Sequence, residues 1–145
     1  MTIFFAIVFA DLISTLVMTF FSAIVAKVDH SDYIEPNLLN KFLALRFHDG
    51  SMRHSSIGWI IHFLVGLLFI VVYHILWSNE LMTGSARDAA ILGFASGVVG
   101  AIGWRIVRHF APSLQELWHI KYYIQLILAH VIFALVGSKV YFSIA

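Results

Sequence analysis

Four ionisable side chains, Asp11, His62, His74 and His130, lie within segments that are otherwise almost wholly apolar. An ionisable residue inside a lipid bilayer costs free energy, so such residues usually face the protein interior and mark a functional site. An aspartate and a histidine can relay a proton, because histidine titrates near neutral pH. Two histidines on different helices can instead act as the axial ligands of a haem, or bind a metal ion.

The spacing of these residues along helices sorts them by depth. At a rise of about 1.5 Å per residue, Asp11 and His74 are expected to form an outer pair, and the other two histidines an inner pair. Polar residues, among them Thr15 and Ser22, follow Asp11 at helical spacing. The pattern therefore predicts an intramembrane polar site of Asp11, Thr15, Ser22 and His74, and a haem or metal site of the inner pair.

Three functional hypotheses stay open from these residues. In the first, the polar site passes a small solute or a proton, or supports a membrane complex. In the second, the chain is a b-type haem-binding electron carrier that uses His62 and His130. In the third, it is a purely structural or assembly subunit whose histidines hydrogen-bond to neighbouring helices. The sequence has no Ser-His-Asp order, glycine-rich phosphate loop or paired carboxylate motif, so we do not expect an enzyme, and only the second hypothesis requires a cofactor.

The composition indicates a membrane protein. Hydrophobic residues make up 61% of the 145 residues and charged residues 12%, whereas soluble domains are about half apolar and a quarter charged. One small core could not bury so much apolar surface, so the lipid bilayer is the expected partner. The absence of cysteine excludes disulfides and thiolate sites. A formal net charge of +1 without a basic block argues against nucleic-acid binding.

Four segments are long and apolar enough to span a bilayer, and we expect all four to be helices because backbone polar groups in lipid must bond within their own segment. The chain is therefore predicted to be one all-α domain over residues 1–145, an integral membrane four-helix bundle. The predicted spans are residues 3–26, 57–77, 89–107 and 122–142.

The first loop contains a further predicted helix. Residues 35–47 combine an early proline, Pro36, with several apolar residues, which is typical of a short helix lying at the membrane interface. The alternative is that this helix covers the inner end of the bundle.

Seven of the nine Lys and Arg residues lie in or beside loops one and three. The positive-inside rule therefore predicts that these loops are cytoplasmic and that both termini are outside.

The third span is predicted to be a packing surface. It carries Gly93, Gly97, Gly100 and Gly103, and small residues let helix backbones approach closely in lipid. The simplest interpretation is packing within one chain. The alternatives are a homo-oligomer seam, as in a homodimer, or a backbone-lined passage for a small solute.

Three sequence patterns resemble small four-span bacterial membrane proteins of the YagU-like type. They are Ser14-Thr-Leu-Val-Met-Thr19 in the first span, His62-x-x-x-Gly66-x-x-Phe69-x-x-x-Tyr73 in the second, and Gly93-x-x-x-Gly97-x-x-Gly100 in the third. The resemblance implies a multi-pass protein of the bacterial inner membrane. It supplies no catalytic residues.

Overall fold

The computed structural model describes residues 2–145 and is all-α, with five α-helices and two short 3₁₀ helices. The α-helices are α1 (Thr2–Val28), α2 (Glu35–Phe47), α3 (Ile57–Ser78), α4 (Ala86–Phe110) and α5 (Ile120–Ile144). The 3₁₀ helices cover Gly50–His54 and Gln115–Trp118. Of the five α-helices, all but α2 are long and apolar enough to cross a membrane. The prediction of an all-α protein with four candidate membrane spans is confirmed, and each predicted span lies within one helix.

The helix α5 lies between α1 and α4 and makes the most extensive contacts with both, while α1 also packs against α3. Glycines allow α4 to approach α5. A Cβ atom added to Gly93 would lie 2.5 Å from the Cα atom of Val131, and one added to Gly97 would lie 2.8 Å from the Cα atom of Ile127. Both distances are far below ordinary van der Waals contact, so a side chain at either position would push the two backbones apart.

The other two glycines of this series have different surroundings. A Cβ atom on Gly100 would lie 3.2 Å from the imidazole ring of His130, so this position packs against a side chain. A Cβ atom on Gly103 would have no other heavy atom within 4 Å. The close approach of α4 to α5 therefore includes Gly93 and Gly97 and does not extend to Gly103.

The helix α2 covers the same residues as the predicted loop helix, and it packs against α3. Leu38 is fully buried in a cluster with side chains of the third loop and of α5, whereas Phe47 is largely exposed. The side chain of Asn40 accepts a hydrogen bond from the backbone N–H of Gly58 (2.8 Å) and donates one to the carbonyl of Ser55 (2.7 Å). The helix α2 is thereby held at the start of α3 and covers this end of the long helices.

Aromatic side chains fill the opposite end of the molecule. The ring of Trp77 lies 4.6 Å from that of Tyr141 and 5.8 Å from that of Tyr73, measured between centroids. The hydroxyl of Tyr73 lies 2.7 Å from that of Ser96, which connects α3 to α4. The helices α3 and α4 are therefore linked at the end remote from α2.

Candidate functional site

A cavity of about 380 Å³ lies between α3 and α4, in the half of the molecule that carries α2. Most of its wall is apolar, with Phe69 on α3, Trp104 on α4 and Phe133 on α5 among the lining side chains. Leu68 and Val99 also line it and are 62% and 57% exposed. The cavity therefore opens sideways between α3 and α4, on the apolar outer surface of the helices.

Four buried polar side chains reach this cavity, each from a different helix. They are Thr15 on α1, Glu35 on α2, His62 on α3 and His130 on α5. Their convergence depends on how the helices pack, because the four positions are far apart in sequence. The cavity thus combines a largely apolar wall with a carboxyl, a hydroxyl and two imidazoles.

The polar face of α1 runs along one side of this region. The hydroxyl of Thr15 donates to Asp11 Oδ1 at 3.0 Å, and the hydroxyl of Thr19 lies 2.9 Å from His62 Nε2. Because Gly66 on α3 has no side chain, it leaves room for Asp11 and Thr15. A Cβ atom at this position would lie 2.5 Å from Asp11 Oδ1 and 2.5 Å from the hydroxyl oxygen of Thr15. The structure therefore brings the predicted residues Asp11 and Thr15 together and places them against α3.

Farther along α1, Ser22 belongs to a second polar group that includes Glu35. The hydroxyl of Ser22 donates to Glu35 Oε1 at 2.9 Å, and the side-chain amide of Gln125 donates to the Ser22 hydroxyl and, at 3.4 Å, to the same carboxyl oxygen. All three residues are buried. Among residues 2–145, no partner is found for Glu35 Oε2, Gln125 Oε1 or the hydroxyl of Tyr122.

The carboxyl of Glu35 is held in an environment that favours its neutral form. Burial raises its pKa to about 7, and hydrogen bonds from Ser22 and Gln125 offset part of that rise. A carboxyl with this pKa exchanges its proton near neutral pH.

No protein-family model, no curated protein and no solved structure matches this chain. The resemblance to YagU-like proteins therefore stays a hypothesis. The geometry of the cavity is therefore the basis for a functional proposal.

The expected pair of Asp11 and His74 is not joined by a hydrogen bond within the described residues. Asp11 is bonded to Thr15, whereas His74 Nδ1 lies 2.7 Å from the hydroxyl of Tyr141 on α5. Since Ser22 is bonded to Glu35, the four residues predicted as one polar site occupy three separate places.

The expected inner pair does share one site, because His62 and His130 both line the cavity. His62 Nε2 is engaged with a hydroxyl of α1, and His130 Nδ1 donates to the carbonyl of Leu126 at 2.8 Å. The other ring nitrogen of His130 points towards Gly100. In the part of the chain that the structure describes, no group of three or more His, Asp or Glu side chains is placed to hold a metal ion. The haem hypothesis for this pair stays a prediction.

Sequence reasoning missed Glu35 and Gln125 as members of a site. Glu35 precedes Pro36 at the start of a helix, where an acidic residue is favourable on electrostatic grounds alone. Gln125 is an uncharged polar residue inside an apolar span. The Gln125 amide could have indicated the site from the sequence. A polar side chain in a membrane helix needs a hydrogen-bond partner on a neighbouring element.

Proposed function

We propose that the protein is a non-enzymatic, multi-pass membrane protein, built as a four-helix bundle, that binds a small solute in the cavity between α3 and α4. The observation that carries this proposal is the convergence of four buried polar side chains on one largely apolar cavity. Small-molecule sites commonly have apolar walls and a few polar groups that orient the ligand. Polar side chains that served only to join helices would not need to border open space.

The shape of the cavity supports binding from one side rather than passage through an open pore. The aromatic side chains of Tyr73, Trp77 and Tyr141 fill the molecule at the end remote from α2. The mouth is bordered by the exposed side chains of Leu68 and Val99. In a bilayer, a solute would therefore enter between α3 and α4 from the surrounding lipid.

The location and orientation are part of the same proposal. The excess of Lys and Arg in loops one and three supports a cytoplasmic position for the end that carries α2. The resemblance to YagU-like proteins supports the bacterial inner membrane, with both termini outside. The cavity would then lie in the cytoplasmic half of the bilayer.

Filling the mouth of the cavity should abolish binding. Gly103 lines the cavity and a Cβ atom there would have open space beside it, so Gly103→Leu places bulk at this part of the cavity wall. The probe is 4-bromobenzyl alcohol, whose bromine quenches the fluorescence of Trp104 in the cavity wall. In lipid nanodiscs we expect quenching that saturates as probe is added. The contribution of Trp104 is isolated by subtracting the signal of the same protein carrying Trp104→Phe. We expect Gly103→Leu to remove this saturable quenching.

A matched control adds bulk beside the cavity. Ile102 is 55% exposed and does not line the cavity, so Ile102→Phe should leave the saturable quenching unchanged. Quenching that rises linearly with probe concentration in the native protein, as in protein-free nanodiscs, would contradict the proposed binding site.

The second candidate function, a b-type haem carrier, is favoured by the presence of His62 and His130 on the wall of one cavity. The two functions predict different spectra for protein purified from cells that supply haem. Solute binding predicts a colourless protein. A Soret band that shifts on reduction, and is lost in both His62→Ala and His130→Ala, would establish haem binding and displace the first proposal.

A further inference from the structure

We propose that the ligand of this cavity is an organic ammonium ion with an apolar body, and that Glu35 binds its charged group. This inference rests on the proposed function, because it names the class of solute that the same cavity would take.

The first step is the incomplete hydrogen bonding of the Glu35 carboxyl. The residue is 2% exposed and lines the cavity. Its Oε1 atom accepts hydrogen bonds from α1 and α5, whereas its Oε2 atom has no partner anywhere in residues 2–145. A buried polar atom without a partner destabilises a structure. Because Glu35 lines the cavity, a ligand whose donor came within hydrogen-bond distance of this oxygen would satisfy it.

The second step is the absence of a protein cation at this carboxyl. Lys41 lies on the same helix, but its ammonium group forms ion pairs with Asp32 (2.8 Å) and Glu116 (2.6 Å). The groups hydrogen-bonded to the Glu35 carboxyl within the described chain are the neutral Ser22 and Gln125. The Oε1 atom of Gln125 has no partner and is another acceptor. Acceptors without a nearby positive side chain are complementary to an N–H-bearing cation.

The third step is the size and chemistry of the remaining wall. The cavity volume of about 380 Å³ is more than twice the roughly 150 Å³ of an apolar cavity that accepts benzene. Its aromatic side chains include Phe69 and Trp104. Aromatic faces attract ammonium ions and also pack against apolar groups. A substituted aromatic or alkyl amine therefore fits better than a small inorganic cation.

Binding of such a cation should strengthen as the pH rises. Because the pKa of Glu35 is raised to about 7, the carboxyl gains its negative charge over this range. The other titratable groups facing this region are His62, His130, Tyr122 and Asp11, which is bonded to the cavity residue Thr15. An ionised Asp11 would attract a cation, so it changes affinity in the same direction as Glu35. A proton on either imidazole would repel a cation, so the histidines change affinity in the same direction as Glu35. Tyr122 stays neutral near pH 7.

The test compares two probes of nearly the same shape, 4-bromobenzylamine, which is an ammonium ion at neutral pH, and the uncharged 4-bromobenzyl alcohol. Binding is measured by quenching of Trp104 in nanodiscs of phosphatidylcholine, whose neutral surface does not concentrate cations. We expect the affinity for the ammonium ion to be at least about ten-fold higher than that for the alcohol. A hydrogen bond to a charged group contributes a free energy of this size. Glu35→Gln should remove this preference by lowering the affinity for the ammonium ion towards that for the alcohol.

Glu80→Gln is the matched control. Glu80 is exposed and lies in the loop that connects α3 to α4, at the end of the molecule remote from α2. It should leave both affinities unchanged. Equal affinities for the two probes in the native protein would overturn the ammonium inference and keep the cavity as a binding site. If neither probe gives saturable quenching, the proposed function fails as well.

A pH series on the native protein remains a test of the role of Glu35 if Glu35→Gln does not fold. Between pH 6 and pH 8 the affinity for the ammonium ion should rise several-fold, while the affinity for the alcohol should stay constant. A pH-independent preference for the ammonium ion, or none, would overturn the role of Glu35.

Discussion

Replacing Gly93 with alanine should prevent stable packing of α4 against α5. The added Cβ atom would lie 2.5 Å from the Cα atom of Val131 and 2.6 Å from the carbonyl oxygen of His130. Both atoms belong to the backbone of α5, so neither can rotate away, and the two helices would have to separate. Overpacking commonly costs 1–3 kcal/mol, and here we expect a loss of about 3 kcal/mol in the free energy of unfolding, measured in mixed detergent micelles.

The matched control is Gly103→Ala, the same substitution farther along the same helix. No heavy atom lies within 4 Å of the added methyl group. Alanine favours the helix over glycine by up to about 1 kcal/mol, so this variant should be as stable as the native protein or slightly more stable. An equal loss of stability in both variants would show that the contact with α5 is not the cause.

Replacing Asn40 with alanine should release α2 from the start of α3. The side chain accepts from the Gly58 N–H (2.8 Å) and the Ser55 hydroxyl (3.1 Å), and it donates to the Ser55 carbonyl (2.7 Å). Asn40 is only 3% exposed, so its loss leaves buried groups without partners, at roughly 1–3 kcal/mol each. We expect a destabilisation of about 3 kcal/mol and faster hydrogen exchange at the Gly58 amide.

Asn37→Ala provides the control on the same helix. The Asn37 amide makes one hydrogen bond, of 3.3 Å, to Asp32 near the surface. Its removal should change the free energy of unfolding by no more than about 0.5 kcal/mol. If Asn40→Ala has as small an effect as Asn37→Ala, then the hydrogen bonds of Asn40 are not what holds α2 in place.

The helices could be predicted from the sequence because their signals are local. A run of about 20 apolar residues requires a helix in lipid, and Pro36 marks the beginning of α2 in its first turn. The position of α2 could not be predicted in the same way. Its apolar residues fit a membrane surface as well as a protein surface, and the contact that places α2 against α3 joins Asn40 to the distant Gly58.

The candidate site was predicted only in part, because depth along a helix does not determine which neighbour a side chain faces. The inner pair, His62 and His130, does meet at one cavity. The outer pair does not meet, because Asp11 faces α3 near Gly66 while His74 faces α5. Such choices depend on the rotation of each helix, which is set by packing against helices far away in the sequence.

The sideways opening of the cavity determines which concentration governs its occupancy. Because its mouth is bordered by Leu68 and Val99 on the apolar surface, a ligand would reach the site from the hydrocarbon phase and would first have to partition into it. Occupancy would then follow the mole fraction of ligand in the lipid. Added lipid would dilute the ligand and lower occupancy at a constant total amount, and affinities measured at different lipid contents would agree only on the mole-fraction scale.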